Sequence, residues 1–198
     1  MEPLVRAQFC QEWLELVDAQ PEPWRGRFRA RLPPELVEQI VAASRVAWLP
    51  LQVHVTLSDV LEEALGAARA HDYYRRAFAA SLRGPFFGPL VQTGARVLGL
   101  NPWTFVRWAG RAYEAGFRNA GRIDGEVVGP GRAHLVYSGL PAICTASDAW
   151  MTSPQASAYG VFDFLGVDGV VRLDHEMRPK GGMVVELEWS ERDQRRAP

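Results

Sequence analysis

The hydrophobic pattern of this chain changes period at Gly121. Before that residue apolar side chains recur at helical spacing; after it they alternate, and an alternating stretch buries one face only within a sheet. Arg122 to Val128 and Arg132 to Ser138 flank the turn Gly129-Pro130-Gly131, with Ala133, Leu135 and Tyr137 alternating with His134 and Val136. That pattern predicts a hairpin. A second one follows, in which Val171, Leu173, His175 and Met177 share a face answered by Met183, Val185, Leu187 and Trp189 across Pro179-Lys180-Gly181-Gly182. Between the two, Ser153-Pro154 opens a helix over Gln155 to Leu165 that Gly166 closes. Helices first and hairpins afterwards give an α+β order, against a doubly wound nucleotide fold. The expected architecture is an N-terminal helical layer packed on a C-terminal antiparallel sheet of two hairpins with an intervening helix.

The helical half is punctuated by breakers. Phe9, Trp13, Leu14, Leu16 and Val17 predict a helix ending at Pro21-Glu22-Pro23, and Pro34 starts another through Leu36, Val37, Ile40 and Val41. Leu51, Val53 and Val55 alternate like a short strand, whereas Leu57, Val60, Leu61, Ala64 and Leu65 return to helical period. Two further helices are expected over Asp72 to Leu82 and Phe86 to Leu98. The best-marked one comes next: Asn101 is a strong N-cap, Pro102 suits the first helical position and Gly121 can terminate it. Its Trp103, Phe105, Val106, Trp108, Tyr113 and Phe117 cover much more than one stripe, which predicts the central, most buried helix.

Size and charge restrict the role. With 198 residues, 47% hydrophobic and 23% charged, the chain fits one globular domain over 1–190 with a frayed polar tail at 191–198. Twenty-two basic against 23 acidic residues leave a charge of -1, without the broad positive field of a nucleic-acid binder. The comb Arg25, Arg27, Arg29 and Arg31 can grip an anion, but a solvated face answering Glu12, Glu15, Asp18 and Glu22 is the commoner use. Cys10 and Cys144 form no C-x-x-C, so neither zinc nor a disulfide framework is indicated and a reducing cytoplasm is expected. No signal-peptide pattern and no apolar run long enough to span a membrane occurs. Nucleophile-elbow, zinc-protease and phosphate-loop motifs are absent, so no enzyme is indicated.

Trp48-Leu49-Pro50-Leu51, the helix from Asn101-Pro102 to Gly121, Leu140-Pro141, the Gly160 helix and Glu188-Trp189 together resemble a family of uncharacterised proteins common in myxobacteria. That family is similar to a wider group: haem nitric-oxide/oxygen-binding domains, 4-vinyl-reductase-type sensor domains and TRAPP tether subunits. The resemblance implies helices against an antiparallel sheet, an apolar cavity between them, and homodimers with helical contacts. The haem-binding branch needs an axial His on the central helix and Tyr-x-Ser-x-Arg on the next strand. Pro102 to Ala120 holds no His, and the strand reads Tyr137-Ser138-Gly139-Leu140-Pro141. Haem is therefore disfavoured and no cofactor is expected; two Cys are also too few for the Cys-rich metal cluster of the vinyl-reductase branch.

The candidate ligand-binding residues are Trp103, Trp108, Tyr113 and Phe117, whose rings can line an apolar pocket, and His175, whose imidazole can orient a ligand. The plainer alternative is that the rings fill the core and that His175 is satisfied by backbone. The expected function is a non-enzymatic domain that binds an apolar or acyl-like small molecule, or senses it, in signalling or regulation. The rival is a dimeric protein-interaction scaffold using Trp13, Trp24 and Trp150. A small enzyme assembled from Asp148, Asp163 and His134 has no support in local spacing.

Overall fold

In the computed structural model, which describes residues 1–84, 87–99 and 101–190, helices precede the main sheet. The expected tail at 191–198, and Phe86 at the start of one expected helix, lie outside the described residues. The chain runs β1 (Leu4–Arg6), α1 (Ala7–Asp18), α2 (Trp24–Arg29), α3 (Pro34–Ala42), β2 (Trp48–Pro50), α4 (Leu51–Leu65), α5 (Ala67–Ser81), α6 (Phe87–Leu98) and α7 (Pro102–Gly116). There follow β3 (Phe117–Arg118), β4 (Arg122–Gly129), β5 (Arg132–Ser138), α8 (Ala142–Ala146), α9 (Asp148–Leu165), β6 (Gly169–Asp174), a 3-10 turn at Arg178–Lys180 and β7 (Met183–Trp189).

The α+β architecture is the one the change of period predicts. The two hairpins join into one antiparallel sheet of order β4-β5-β7-β6. Its register sets Ala133 opposite Leu187, Leu135 opposite Val185 and Tyr137 opposite Met183, so the alternating apolar residues share the face that meets the helices. The second hairpin is shorter than its alternation implies. β6 stops at Asp174, so His175 and Met177 belong to the connecting turn, with Met177 exposed. Asp174 ends the strand by accepting the Glu176 N–H at 2.8 Å, a local turn that competes with further pairing.

α4 and not α7 is the most deeply placed helix. It buries Leu51, Val53, His54, Val55, Leu57, Ser58, Val60, Leu61 and Ala64, leaving a narrow polar stripe through Gln52, Thr56, Asp59 and Glu63. Burial on nearly all sides outweighs the strand-like Val53/Val55 alternation, because tertiary packing overrides propensity. α7 ends at Gly116, short of the predicted Gly121, and its Trp103, Phe105 and Trp108 are only half-buried.

α9 begins at Asp148, ahead of the predicted start, capped by the Ser147 hydroxyl, which accepts the Trp150 N–H at 2.9 Å. Pro154 is thus inside the helix. It cannot donate to the Trp150 carbonyl, and the Ser153 hydroxyl does so instead at 2.8 Å. α9 lies close on α5 at Gly160, where a Cβ would stand 2.5 Å from the Arg75 carbonyl oxygen. Arg75 also pairs with Asp163 through two contacts of 2.5 and 2.6 Å.

A small antiparallel sheet, β2-β1-β3, has no counterpart in the sequence reading. Val5 pairs with Leu49 on one side and Phe117 on the other, and is fully buried. These strands of two or three residues fasten the starts of α1 and α4 to the end of α7.

Candidate functional site

The elements fastened by the small sheet converge on a cavity of about 460 Å³ between the helices and the main sheet. That size is in the range of small-molecule sites. Phe9 and Trp13 of α1, His54 of α4, Tyr74 and Phe78 of α5, Trp108 and Tyr113 of α7, Phe117 of β3, Tyr137 of β5, Trp150 of α9 and Leu187 of β7 contribute to its wall.

The rings touch in a continuous set. Phe117 stacks on Tyr113 at 4.6 Å between centroids and on Phe9 at 5.9 Å, and meets His54 edge-on at 5.7 Å. Trp13 reaches His54 at 4.8 Å and Tyr74 at 4.9 Å, while Tyr113 meets Tyr137 at 6.1 Å. These stacked, tilted and edge-on contacts join the rings of the wall directly to one another.

Polar groups in this wall are few. Burial drives His54 down to about 4, so its imidazole is neutral around pH 7. Nδ1 is buried without a partner, and no hydrogen bond to Nε2 occurs among the described residues. Tyr113 donates to the Ala120 carbonyl at 2.8 Å and Tyr74 to the Ser58 carbonyl at 3.3 Å. Burial holds Tyr74, Tyr113 and Tyr137 well above the usual phenol range, so none is a phenolate near neutrality. Glu12, half-buried in the wall, is raised by desolvation and accepts from Gln8 Nε2 at 2.6 Å. Arg111 is the only Lys or Arg among the described lining residues; it is exposed, and its guanidinium stands 5.3 Å from the Trp108 ring.

Of the sequence candidates, Trp108, Tyr113 and Phe117 are brought together in the wall, while Trp103 and His175 stand outside it. Trp103 packs edge-on against Trp189 at 4.4 Å, beyond the cavity. His175 is half-buried in its turn, with Nδ1 unpartnered. Trp150, offered as a contact surface, is buried, and Asp163 is engaged with Arg75. Two of the comb arginines are answered by acids, Arg25 by Glu22 at 2.9 Å and Arg29 by Asp18. His54 is the residue the sequence reading missed. Its signal was a polar side chain on the stripe of Leu51, Ser58 and Leu61, spaced for one helical face.

No protein-family model matches the sequence, and no curated protein matches it either. Solved structures do. The Fe(II) unliganded H-NOX protein from K. algicida aligns with TM-score 0.60 at 10% identity, covering 94% of this chain and 97% of that one. An H-NOX protein from S. oneidensis in the Fe(II)NO ligation state aligns with TM-score 0.58 at 10% identity over 94% and 99%. A structure concerned with heme distortion in the H-NOX family aligns with TM-score 0.61 at 9% identity over 94% and 95%. The chain has the H-NOX fold.

This finding overturns the expectation of a domain without a cofactor in which haem is disfavoured. That expectation rested on the missing His in α7 and the incomplete strand motif. It asked for the imidazole on one helix only, whereas the cavity receives one from α4. The wall is apolar and largely aromatic, holds one neutral imidazole and includes one exposed guanidinium, that of Arg111, which is the donor set and cation a haem requires. Among the described residues no cluster of three His, Cys, Asp or Glu is placed to hold a bare metal ion, and no helix is long and apolar enough to cross a membrane.

Proposed function

We propose that this chain is a non-enzymatic, ligand-binding sensor domain and that haem is the molecule its cavity accepts. The observation that carries the reading is the apolar cavity with the neutral His54 in its wall, set in a fold shared with Fe(II) H-NOX proteins. The apolar or acyl-like ligand expected from sequence gives way to haem in this reading. Haem needs apolar walls, an axial donor and a cation near its carboxylates. Trp108, Tyr113 and Phe117 are proposed to pack on its faces and Arg111 to face its carboxylates. When bound, its iron would supply the point at which a diatomic gas is sensed. The protein's own part is to exclude water with aromatic walls and to keep the imidazole neutral.

Haemin titrated into the purified chain is expected to give a Soret band saturating at one haem per chain, and the reduced protein to shift that band on adding NO. A flat titration overturns the reading. The homodimer with helical contacts is a separate proposal; light scattering that returns a monomer mass removes it.

A further inference from the structure

We propose that His54, carried by α4, is the axial ligand for haem iron in this chain, in place of any residue of α7. This rests on the haem reading above and adds to it the identity of the donor. Three independent observations converge on the residue.

The first is elimination among donors. Of the four histidines only His54 lies in the cavity wall: His71 packs on Tyr159 at 5.9 Å, His134 stands in β5 opposite Glu126 and Glu186, and His175 is in a turn. Cys10 and Cys144 are buried and neither lines the cavity, and burial raises both thiols to about 12, far from the thiolate a metal requires. The wall tyrosines are held protonated.

The second is the state of the ring. His54 is 6% exposed, yet its imidazole has no hydrogen-bond partner among the described residues. A buried polar group left in that condition costs stability unless something else engages it. A neutral imidazole with a free lone pair is the form that binds a metal.

The third is fixation. The Ser58 hydroxyl donates to the His54 carbonyl at 3.0 Å, and the Tyr74 hydroxyl donates to the Ser58 carbonyl at 3.3 Å, which pins this turn of α4 to α5. Trp13 and Phe117 both contact the ring itself, at 4.8 and 5.7 Å between centroids. A donor so held is preorganised for its ligand.

With Nδ1 walled in, Nε2 is the nitrogen left for iron. Nδ1 then carries the ring proton and finds no carbonyl or carboxylate, so the usual outer hydrogen bond that strengthens an imidazole ligand is missing. A comparatively weak iron–imidazole bond follows.

The test uses the full chain loaded with haemin, reduced, and read by resonance Raman in the iron–histidine stretching region alongside absorption spectra. The wild type is expected to show that band. His54→Gly should lose it and weaken haem binding at least roughly tenfold, and free imidazole in the buffer should restore the band. Return of the band with imidazole shows that the variant is folded and that the missing ring is the ligand. A His54→Gly or His54→Phe protein that binds haem with the wild-type spectrum overturns the assignment while leaving the haem reading in place. A wild type that gives no Soret band removes the haem reading itself, and this assignment with it.

Discussion

α4 and α7 are both fifteen residues long, and they differ in almost everything that matters to the site. α7 announces itself. Asn101 caps it, its side chain accepting the Thr104 N–H at 3.0 Å, and Pro102 sits in its first turn. It still lies half at the surface, with Arg107, Arg111 and Glu114 exposed. α4 follows Pro50 with no side-chain cap, begins with a strand-like run, and is buried on nearly every side. Caps report where a helix starts; the breadth of its apolar surface reports how deep it goes. The cavity takes rings from α7 and its one imidazole from α4.

The contrast can be tested from its strongest consequence downward. Leu57 of α4 is fully buried, so Leu57→Ala should cost about 2–5 kcal/mol in urea unfolding followed by tryptophan fluorescence. Phe105→Ala on half-exposed α7 should cost less, and an equal or larger loss there breaks the ranking of the two helices.

The buried imidazole of α4 adds a pH dependence. Folded His54 titrates at about 4, against 6.5 in an unfolded chain, so unfolding takes up a proton between those values. Its contribution to stability is full above pH 6.5 and is lost as the pH falls toward 4, by about 3 kcal/mol in total. Denaturation midpoints across that window should fall for the wild type, and His54→Phe should remove this component. An unchanged slope in the variant means that His54 is not buried as described.

Smaller effects belong to α7. Asn101→Ala should destabilise by about 1 kcal/mol through loss of the cap, measured by thermal unfolding. Arg107→Ala, on its exposed outer side, should stay within about 0.5 kcal/mol. A larger loss at Arg107 would show that the outer side of α7 is covered.

What the sequence disclosed follows the same division. Both hairpins are legible because one face of a sheet is buried and a period of two is hard to imitate, as Ala133, Leu135 and Tyr137 show. The sequence pattern starts α9 too late because Pro154 resembles a first-turn proline, whereas Ser147 is the cap and Ser153 serves the carbonyl that the proline leaves unpaired. The small sheet is illegible because strands of two or three residues carry no period. Trp108, Tyr113 and Phe117 are legible as a ring cluster because they lie on one helix and its exit, and the structure places them in the cavity wall. His54 was hidden between Val53 and Val55, and the contributions of Phe9, Trp13 and Tyr137 depend on tertiary placement that no local spacing encodes.

The small sheet also bears on how the molecule assembles. Val5 finds one partner at Leu49 and the other at Phe117, across most of the helical half of the chain. Contacts so distant in sequence carry the loop-closure entropy that slows folding. α1, which brings Phe9 and Trp13, therefore cannot be fastened to both of its neighbours until synthesis has passed β3. The first wall of the cavity to be made waits for one of the later ones before it can close.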